Sequence, residues 1–252
     1  MTRAKRFHCP VSTGWEFDVE RLCAARKQVR VDGRQLSMAA CVVKATSLLQ
    51  ERHPRFNRHL FHSLFGRRFE VAFEEIACTL VVLRRDAQGE RMLFPLLIPR
   101  SNELSVVEIQ RLIDKHKYSP LDELPQVRAL ERVKRLPRAA LSYFSFKARS
   151  DPEFYLKYFG TFGVSQMAAG SFGPVAGHTI ANTASAFLIG PLAERPHVKG
   201  GELTTRKTLG IMLVADHYVL DGVDILEGMR SMGKLLRDPS ALGLEDSPLG
   251  AP

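Results

Sequence analysis

The sequence predicts an α/β (α+β) fold, a mixed sheet covered by helices, because helical and strand periodicity both occur along the chain. Apolar residues recur with helical spacing over Ser37–Gln50, and a shorter helix is predicted over Val19–Arg30. Alternating residues predict a strand at Phe69–Phe73, and β-branched residues predict a second strand at Thr79–Leu83. We therefore expect the two helices to pack on a sheet.

The next segments predict an antiparallel hairpin and a capped helix. Asp86–Gly89 can turn the chain from the strand at 79–83 into a strand at Met92–Ile98. Ser105 and Glu108 have the spacing of a capping box, in which each side chain bonds the other residue's backbone N–H. They open a helix with one apolar face, made of Val106, Ile109, Leu112 and Ile113.

A polar helix is predicted from about Asp122, and a basic aromatic insertion follows at about 132–157. Basic residues in this insertion interleave with apolar and aromatic ones, namely Arg132, Lys134, Arg135, Arg138, Lys147 and Arg149 with Leu136, Leu141, Tyr143, Phe144 and Phe146. The pattern fits a basic helix that covers the core. It also fits a segment that lies on an acidic membrane surface or lines an acyl-chain site.

Three strands and a closing helix are predicted in the last third of the chain. The strands lie at Thr161–Ser165, Ala184–Gly190 and Lys207–Ala215. An apolar stripe that begins at Val223 predicts a helix, which ends at the Asp238-Pro239 step.

We expect a single domain at residues 17–239, preceded by a basic arm at 1–16 and followed by a flexible tail at 240–252. The 252 residues are 45% hydrophobic and 25% charged, which is typical of folded proteins and excludes disordered and collagen-like classes. No apolar stretch reaches the ~18 residues that span a bilayer, and the basic N-terminus lacks the apolar core of a secretory signal. These observations predict a cytoplasmic protein.

The cysteines and the net charge bear on metals and partners. Cys9, Cys23, Cys41 and Cys78 are far apart and have no histidines at zinc spacing, which predicts buried reduced thiols and no metal site. The net charge of +9 predicts an anionic partner, which could be nucleic acid, a membrane, a carrier protein or the phosphates of a nucleotide cofactor. Nucleic-acid binding rests on charge alone, because no helix has the pattern of a DNA-binding module, so we expect none.

The most informative local motif is His-x-x-x-Asp-Gly at residues 217–222, where an apolar strand gives way to a helix. A histidine at a strand end is held by a rigid element beside a cleft, and its ordinary pKa near ~6.5 lets it accept a proton at cellular pH. Asp221 is placed to cap the final helix. On this motif alone, His217 is either a general base or a surface histidine beside an ordinary Asp-Gly turn.

An ordered series of further motifs favours the general base. Gly160-Thr-Phe-Gly-Val-Ser165-Gln-Met is a strand that ends in a serine, and a small-residue loop follows it. Asn182, Glu194-Arg195-Pro196, Gly200-Gly-Glu202 and the histidine motif come next. The series resembles the catalytic domain of the dihydrolipoyl acyltransferases, the core components of 2-oxo-acid dehydrogenase complexes. There the motifs run Gly-Thr-Phe-Thr-Ile-Ser-Asn-Leu-Gly and Asp-His-Arg-x-x-Asp-Gly. The chloramphenicol acetyltransferases share the fold and the histidine motif.

The resemblance implies a chloramphenicol acetyltransferase-like two-layer sandwich and direct acyl transfer from a thioester. His217 would take the proton from an attacking thiol, hydroxyl or amine, and the Ser165 hydroxyl would donate a hydrogen bond to the oxyanion. Asp221 would order the site. A Ser165 that only caps its loop and an Asp221 that is only an N-cap also fit the sequence.

Departures from the family leave the substrate open. The family's arginine after the histidine is replaced by Tyr218, and its Asn-Leu-Gly after the serine is replaced by a segment that begins at Gln166. Its Pro-Pro after the asparagine, which corresponds to Asn182, is replaced by Thr183-Ala184. The resemblance places Gln166, Asn182 and Tyr218 near donor and acceptor, so these three are candidate substrate-binding residues.

The resemblance also implies partners. The donor would be acyl-CoA or an acyl carrier, with no metal and no covalently bound lipoyl group. His217 of one subunit would meet Ser165 of its neighbour in a homotrimer. We expect a stand-alone relative, because no lipoyl domain fits ahead of residue 17. The competing hypothesis is a non-catalytic scaffold that keeps the fold and contacts a dehydrogenase complex or a membrane through 132–157.

Overall fold

A six-stranded sheet forms the centre of the protein in the computed structural model, which describes residues 9–63, 65–85, 89–124, 127–128, 132, 136–166 and 183–245. The strands are β1 (Pro10–Asp18), β2 (Arg30–Val31), β3 (Arg34–Gln35), β4 (Arg58–His62), β5 (Arg68–Ala72), β6 (Cys78–Arg85), β7 (Arg91–Ile98), β8 (Phe162–Gln166), β9 (Ser185–Lys199) and β10 (Glu202–Asp216). The helices are α1 (Glu20–Gln28), α2 (Met38–Arg52), α3 (Val106–Tyr118), α4 (Arg138–Ser150), α5 (Pro152–Phe159) and α6 (Gly222–Arg237).

The central sheet is mixed, as predicted. Its strand order is β1-β10-β9-β8-β6-β7, with β8 parallel to both of its neighbours and the other pairs antiparallel. The predicted hairpin is confirmed by β6 and β7, which pair from Cys78 opposite Ile98 to Arg85 opposite Arg91. The short pairs β2–β3 and β4–β5 form two further small sheets.

Four helices share one apolar core with one face of the central sheet. Buried residues of α1, α2, α3 and α6 join sheet residues such as Phe162, Phe187 and Leu213 in this core. The capping box predicted for α3 is present, because Ser105 accepts from the backbone N–H of Glu108 and the Glu108 carboxylate accepts from that of Ser105. This arrangement of helices on a mixed sheet confirms the predicted α/β (α+β) class.

Both ends of the chain differ from the predicted layout. Residues 10–16, expected in a basic arm, belong to β1, which pairs along its whole length with β10. At the other end, a 3-10 helix at Pro239–Leu242 and a buried Leu244 extend the packed structure past residue 239. Val11 and Trp15 of β1 are partly buried against the core, and Leu244 belongs to it.

The basic aromatic segment forms two helices separated at Asp151, whose side chain caps α5. No residue of α4 is buried, so this helix does not cover the core with a buried face. In α5, Tyr155 is buried and its ring stacks on that of His59 in β4, at 4.3 Å between centroids. Before this segment, a 3-10 helix at Leu121–Glu123 occupies the predicted start of the polar helix, and the described residues 127, 128 and 132 are helical.

Gly160 sets the start of β8. Its φ of +67° lies in the left-handed region, and a Cβ there would stand 2.6 Å from the carbonyl oxygen of Ala77. Backbone N–H groups of Thr161 and Phe162 donate to that same oxygen. A side chain at position 160 would therefore push β8 away from β6.

Candidate active site

The turn between β10 and α6 holds His217 by backbone bonds on both sides. The backbone N–H of His217 donates to the carbonyl oxygen of Cys9 at 2.8 Å, and that of Asp216 donates to Ala184 at the same distance. Val219 and Leu220 then donate to the Asp216 carbonyl at 2.9 and 3.0 Å. Asp216 and His217 are thus bonded to the residues that immediately precede β9 and β1, the two strands that flank β10, as expected for residues at a strand end.

Asp216 organises this turn through its side chain. It is buried, and its Oδ1 accepts hydrogen bonds from the backbone N–H of Cys9 at 3.0 Å and of Tyr218 at 3.1 Å. A buried carboxylate that binds the residue after the histidine and the strand beside it restrains the histidine backbone. Sequence reasoning gave Asp216 no role, although its place immediately before His217 was visible.

The His217 ring has a defined orientation. Its Nδ1 lies 2.8 Å from the carbonyl oxygen of Leu220. A carbonyl oxygen can only accept, so the neutral imidazole carries its hydrogen on Nδ1 and presents a free lone pair at Nε2. The side chain is exposed, and Nε2 has no hydrogen-bond partner among the described residues. This tautomer is the one that a general base needs.

Asp221 is the N-cap of α6. Its Oδ1 accepts from the backbone N–H groups of Val223 and Asp224, both at 2.9 Å. The carboxylate of Asp224 in turn accepts from the backbone N–H of Asp221. The bond from the Asp224 backbone, helped by that from Val223 and by the nearby Arg55 guanidinium, holds the pKa of the Asp221 carboxyl below its ordinary value. The structure therefore places Asp221 in a capping role that fixes the far end of the histidine turn.

Ser165 does not meet His217 within one chain. Ser165 pairs with Leu188 in β9, and Leu188 pairs with Met212 in β10, five positions before His217. Strand spacings of this kind put the two residues roughly 10 Å apart across the sheet and roughly 15 Å apart along it. Ser165 is partly buried, and its hydroxyl has no hydrogen-bond partner among the described residues.

The structure places two of the three candidate substrate-binding residues. Gln166 is exposed at the end of β8, and Asn182 lies outside the described residues. Tyr218 is 49% exposed, and Arg68 of β5 places its Cζ atom 4.6 Å from the centre of the tyrosine ring. Sequence reasoning missed Arg68, because nothing along the chain indicates a contact between positions 68 and 218.

Metal-ligand clusters and clefts among the described residues bear on whether the protein has further ligand sites. No group of three or more His, Cys, Asp or Glu side chains among them could hold a metal ion. A cleft of about 500 Å³ is lined by residues of β1, α1, β10 and α6, away from the histidine turn, and its Arg206 is paired with Asp18 at 2.8 Å. No described helix is long and apolar enough to cross a membrane.

The cysteines are all free, but they are not all buried. Cys23, Cys41 and Cys78 are buried as predicted, whereas Cys9 is exposed, so the prediction of a buried thiol is wrong there. Cys9 begins the segment that leads into β1, beside the histidine turn.

Comparison with known families adds an independent observation to this geometry. Residues 159–244 match the family model of the 2-oxoacid dehydrogenases acyltransferase (catalytic domain). The matched segment contains β8, β9, β10, α6 and the histidine turn, and it confirms the resemblance predicted from the sequence. A search of curated protein sequences found no match.

Solved structures confirm the predicted fold. A probable dihydrolipoamide acetyltransferase from Listeria monocytogenes 4b F2365 superposes with a TM-score of 0.65 at 19% identity, covering 99% of this chain and 90% of that one. The Azotobacter vinelandii dihydrolipoamide acetyltransferase gives 0.62 at 16% identity, covering 96% and 87%. A chloramphenicol acetyltransferase gives 0.53 at 15% identity, covering 93% and 92%. The protein therefore has the chloramphenicol acetyltransferase-like fold, and the family match supports an acyltransferase catalytic domain.

Proposed function

We propose that the protein transfers an acyl group from a thioester donor, acyl-CoA, to a thiol, hydroxyl or amine, with His217 as the general base. The proposal depends mainly on the 2.8 Å contact between Nδ1 of His217 and the Leu220 carbonyl, which leaves Nε2 free to accept a proton. A thiol is mostly protonated at neutral pH and an alcohol entirely so. A positioned base should therefore contribute on the order of 10²–10⁴-fold in rate.

The spacing of the candidate residues supports this assignment. The Azotobacter vinelandii structure concerns the catalytic role of a serine, a histidine 52 positions later and an asparagine four positions after the histidine. In the present chain, His217 follows Ser165 by 52 positions and Asp221 follows His217 by four. We assign Ser165 as the donor of a hydrogen bond to the oxyanion and Asp221 as the residue that orders the histidine turn.

The separation of Ser165 from His217 leads us to propose a homotrimer. An oxyanion donor must lie within hydrogen-bond distance of the reacting carbonyl oxygen, while the base must reach the attacking group bonded to the same carbon. A gap of roughly 15 Å or more within one chain forbids this. A cyclic assembly of identical subunits can instead bring His217 of one subunit to Ser165 of the next and repeat the contact at each interface.

The test is CoA release from a panel of acyl-CoA thioesters with mixed acceptors, followed with a thiol reagent. Release that needs both an added acceptor and His217 supports the proposal, and His217→Ala should lower it by on the order of 10²–10⁴-fold. His197→Ala is the matched control, because His197 lies on the long β9 strand, well before the histidine turn. Acceptor-dependent release that survives His217→Ala would refute the general-base assignment.

A second candidate function, a non-catalytic scaffold at a membrane or a dehydrogenase complex, is favoured by one observation. Helix α4 carries basic and aromatic residues but buries none of them, and Tyr143 is 62% exposed. Pull-down with anionic vesicles or a dehydrogenase component tests this function. Binding that survives His217→Ala, together with the absence of acyl transfer, would favour the scaffold.

A further inference from the structure

We infer that Arg68 and Tyr218 form a binding site for a phosphate group of the acyl-CoA donor, an inference that rests on the proposed function. Tyr218 directly follows His217, at the end of a strand of the central sheet. Arg68 contacts the Tyr218 ring from β5, which belongs to the two-stranded β4–β5 sheet. Both side chains are exposed, so a ligand that approaches His217 from solvent can contact them.

The contact between the Arg68 and Tyr218 side chains is restrained by the surrounding structure. The backbone N–H of Tyr218 donates to the buried Asp216 carboxylate at 3.1 Å, which restrains the backbone that carries the ring. The guanidinium carbon of Arg68 stands 4.6 Å from the ring centre, within the range of a cation–π interaction. Such a ring restrains the guanidinium without using up its N–H donors.

The charge of Arg68 is not neutralised by a described carboxylate. Its neighbours differ in this respect, because Arg58 in the same hairpin pairs with Glu70 at 2.7 Å and Arg55 pairs with Asp224 at 3.3 Å. Among the ion pairs of the described residues, none involves Arg68. A planar guanidinium with free donors binds phosphate oxygens through paired hydrogen bonds.

The position of Arg68 suits a phosphate of coenzyme A better than the reacting group itself. In an acyl-CoA, the pantetheine arm separates the thioester from the phosphates. A residue that binds a phosphate should therefore lie beyond the base, while a residue that binds the reacting carbonyl should touch it. Arg68 contacts the ring of Tyr218, the residue next to His217, and Arg67 lies beside it in sequence. The net charge of +9 suits a ligand with several negative charges.

Calorimetric titration with CoA and with pantetheine tests this site without turnover. Arg68→Gln should weaken CoA binding by on the order of 10-fold and leave pantetheine binding unchanged, because only CoA carries phosphates. The CoA affinity of Arg68→Lys should fall between those of wild type and Arg68→Gln, since lysine keeps the charge but loses the planar donor pair. Arg58→Gln, which removes an arginine already paired with Glu70 in the same hairpin, should leave CoA binding unchanged.

Two further ligands identify which phosphate is bound. If 3′-dephospho-CoA is insensitive to Arg68→Gln, the 3′-phosphate is the partner; if 4′-phosphopantetheine remains sensitive, the phosphate next to the pantetheine arm is. Either result supports the phosphate site. The proposed site is overturned if wild-type protein does not bind CoA, if Arg68→Gln binds CoA as tightly as wild type does, or if Arg68→Gln loses affinity for CoA and pantetheine equally. Arg68-dependent CoA binding without His217-dependent acyl transfer would contradict the proposed function alone.

Discussion

The carbonyl oxygen of Leu220 accepts the hydrogen on Nδ1 of His217 at 2.8 Å, within the turn that joins β10 to α6. The histidine therefore takes its tautomer from a backbone group only three positions away. That backbone is held at one end by the buried Asp216 carboxylate and at the other by the Asp221 cap. The reactivity of Nε2 should accordingly depend on residues that do not touch the substrate.

Asp216 gives the first prediction. Asp216→Ala leaves the backbone N–H groups of Cys9 and Tyr218 without their acceptor, which should cost about 1–3 kcal/mol of unfolding free energy and lower kcat. Asp216→Asn keeps an acceptor oxygen and should lose less of both. Denaturant unfolding and initial-rate kinetics measure the two effects, and an Asp216→Ala protein with wild-type stability and kcat would contradict the role assigned to this carboxylate.

Asp221 gives a prediction with a defined pH dependence. Asparagine caps helices as well as aspartate does, so Asp221→Asn should keep most of the acyl transfer, whereas Asp221→Ala should lower both transfer and the unfolding temperature. Because the pKa of the Asp221 carboxyl is lowered in the folded protein from an ordinary value of 3.8, ionised Asp221 stabilises the fold above that pH. This stabilisation is lost as the pH falls through the lowered pKa.

Unfolding curves of wild type and Asp221→Asn at a series of pH values check the sign. The excess stability of wild type should be present at neutral pH and should shrink in acid below pH 3.8. A difference that grows as the pH falls would mean that the helix cap does not favour the ionised carboxyl of Asp221.

Gly228 is predicted to be required for packing between α6 and Phe56. A Cβ at position 228 would stand 2.4 Å from the edge of the buried Phe56 ring. Overpacking costs about 1–3 kcal/mol, against a gain of about 1 kcal/mol in helix propensity, so Gly228→Ala should lower the unfolding free energy. Gly222→Ala is the control on the same helix, because no atom lies within 4 Å of its added Cβ.

The clash can be tested by relief. Adding Phe56→Leu to Gly228→Ala should cost less than Phe56→Leu costs in the wild-type background, because the smaller side chain makes room for the new methyl group. Simple additivity of the two changes in denaturant unfolding would show that the ring is not the obstacle.

Thiol labelling separates Cys9 from the other three cysteines. Burial raises the pKa of the Cys41 thiol to about 12 and that of Cys78 well above its ordinary value, and Cys23 is also buried. Since the thiolate is the reactive form, the native protein should label once, at Cys9, and four times after unfolding. Mass spectrometry counts the labels, and rapid native labelling of any second cysteine would contradict the burial of these three thiols.

The sequence predicts those elements of the fold whose periodicity is local. The helices at α2, α3 and α6 and the β6–β7 hairpin follow from spacing within each segment. Strand β1 does not, although Val11, Trp15 and Phe17 alternate with polar residues, because an edge strand is defined by its partner, and the paired residues of β10 lie about 200 positions away. Leu244 is missed as well, because a single apolar residue in a short segment has no periodicity and its burial becomes visible only in the folded core.

The candidate site also has features that the local sequence predicts and features that depend on the folded chain. The position of His217 at a strand end and the cap at Asp221 can be predicted from one short motif, since both depend on a turn of a few residues. The separation of Ser165 from His217 depends on the pairing of three strands, and the stack of Arg68 on Tyr218 depends on two different sheets. These tertiary relationships decide how the residues can act together, and only the folded chain provides them.

Subunit complementation between His217→Ala and Ser165→Ala proteins would show whether two subunits share each active site. Each variant should be almost inactive alone, because each lacks one half of every shared site. In randomly mixed trimers, about one quarter of the interfaces pair an intact His217 with an intact Ser165, so mixing should restore about one quarter of the wild-type rate of CoA release. A mixture that forms hybrid trimers yet stays as inactive as its components would contradict an active site built from His217 and Ser165 of neighbouring subunits.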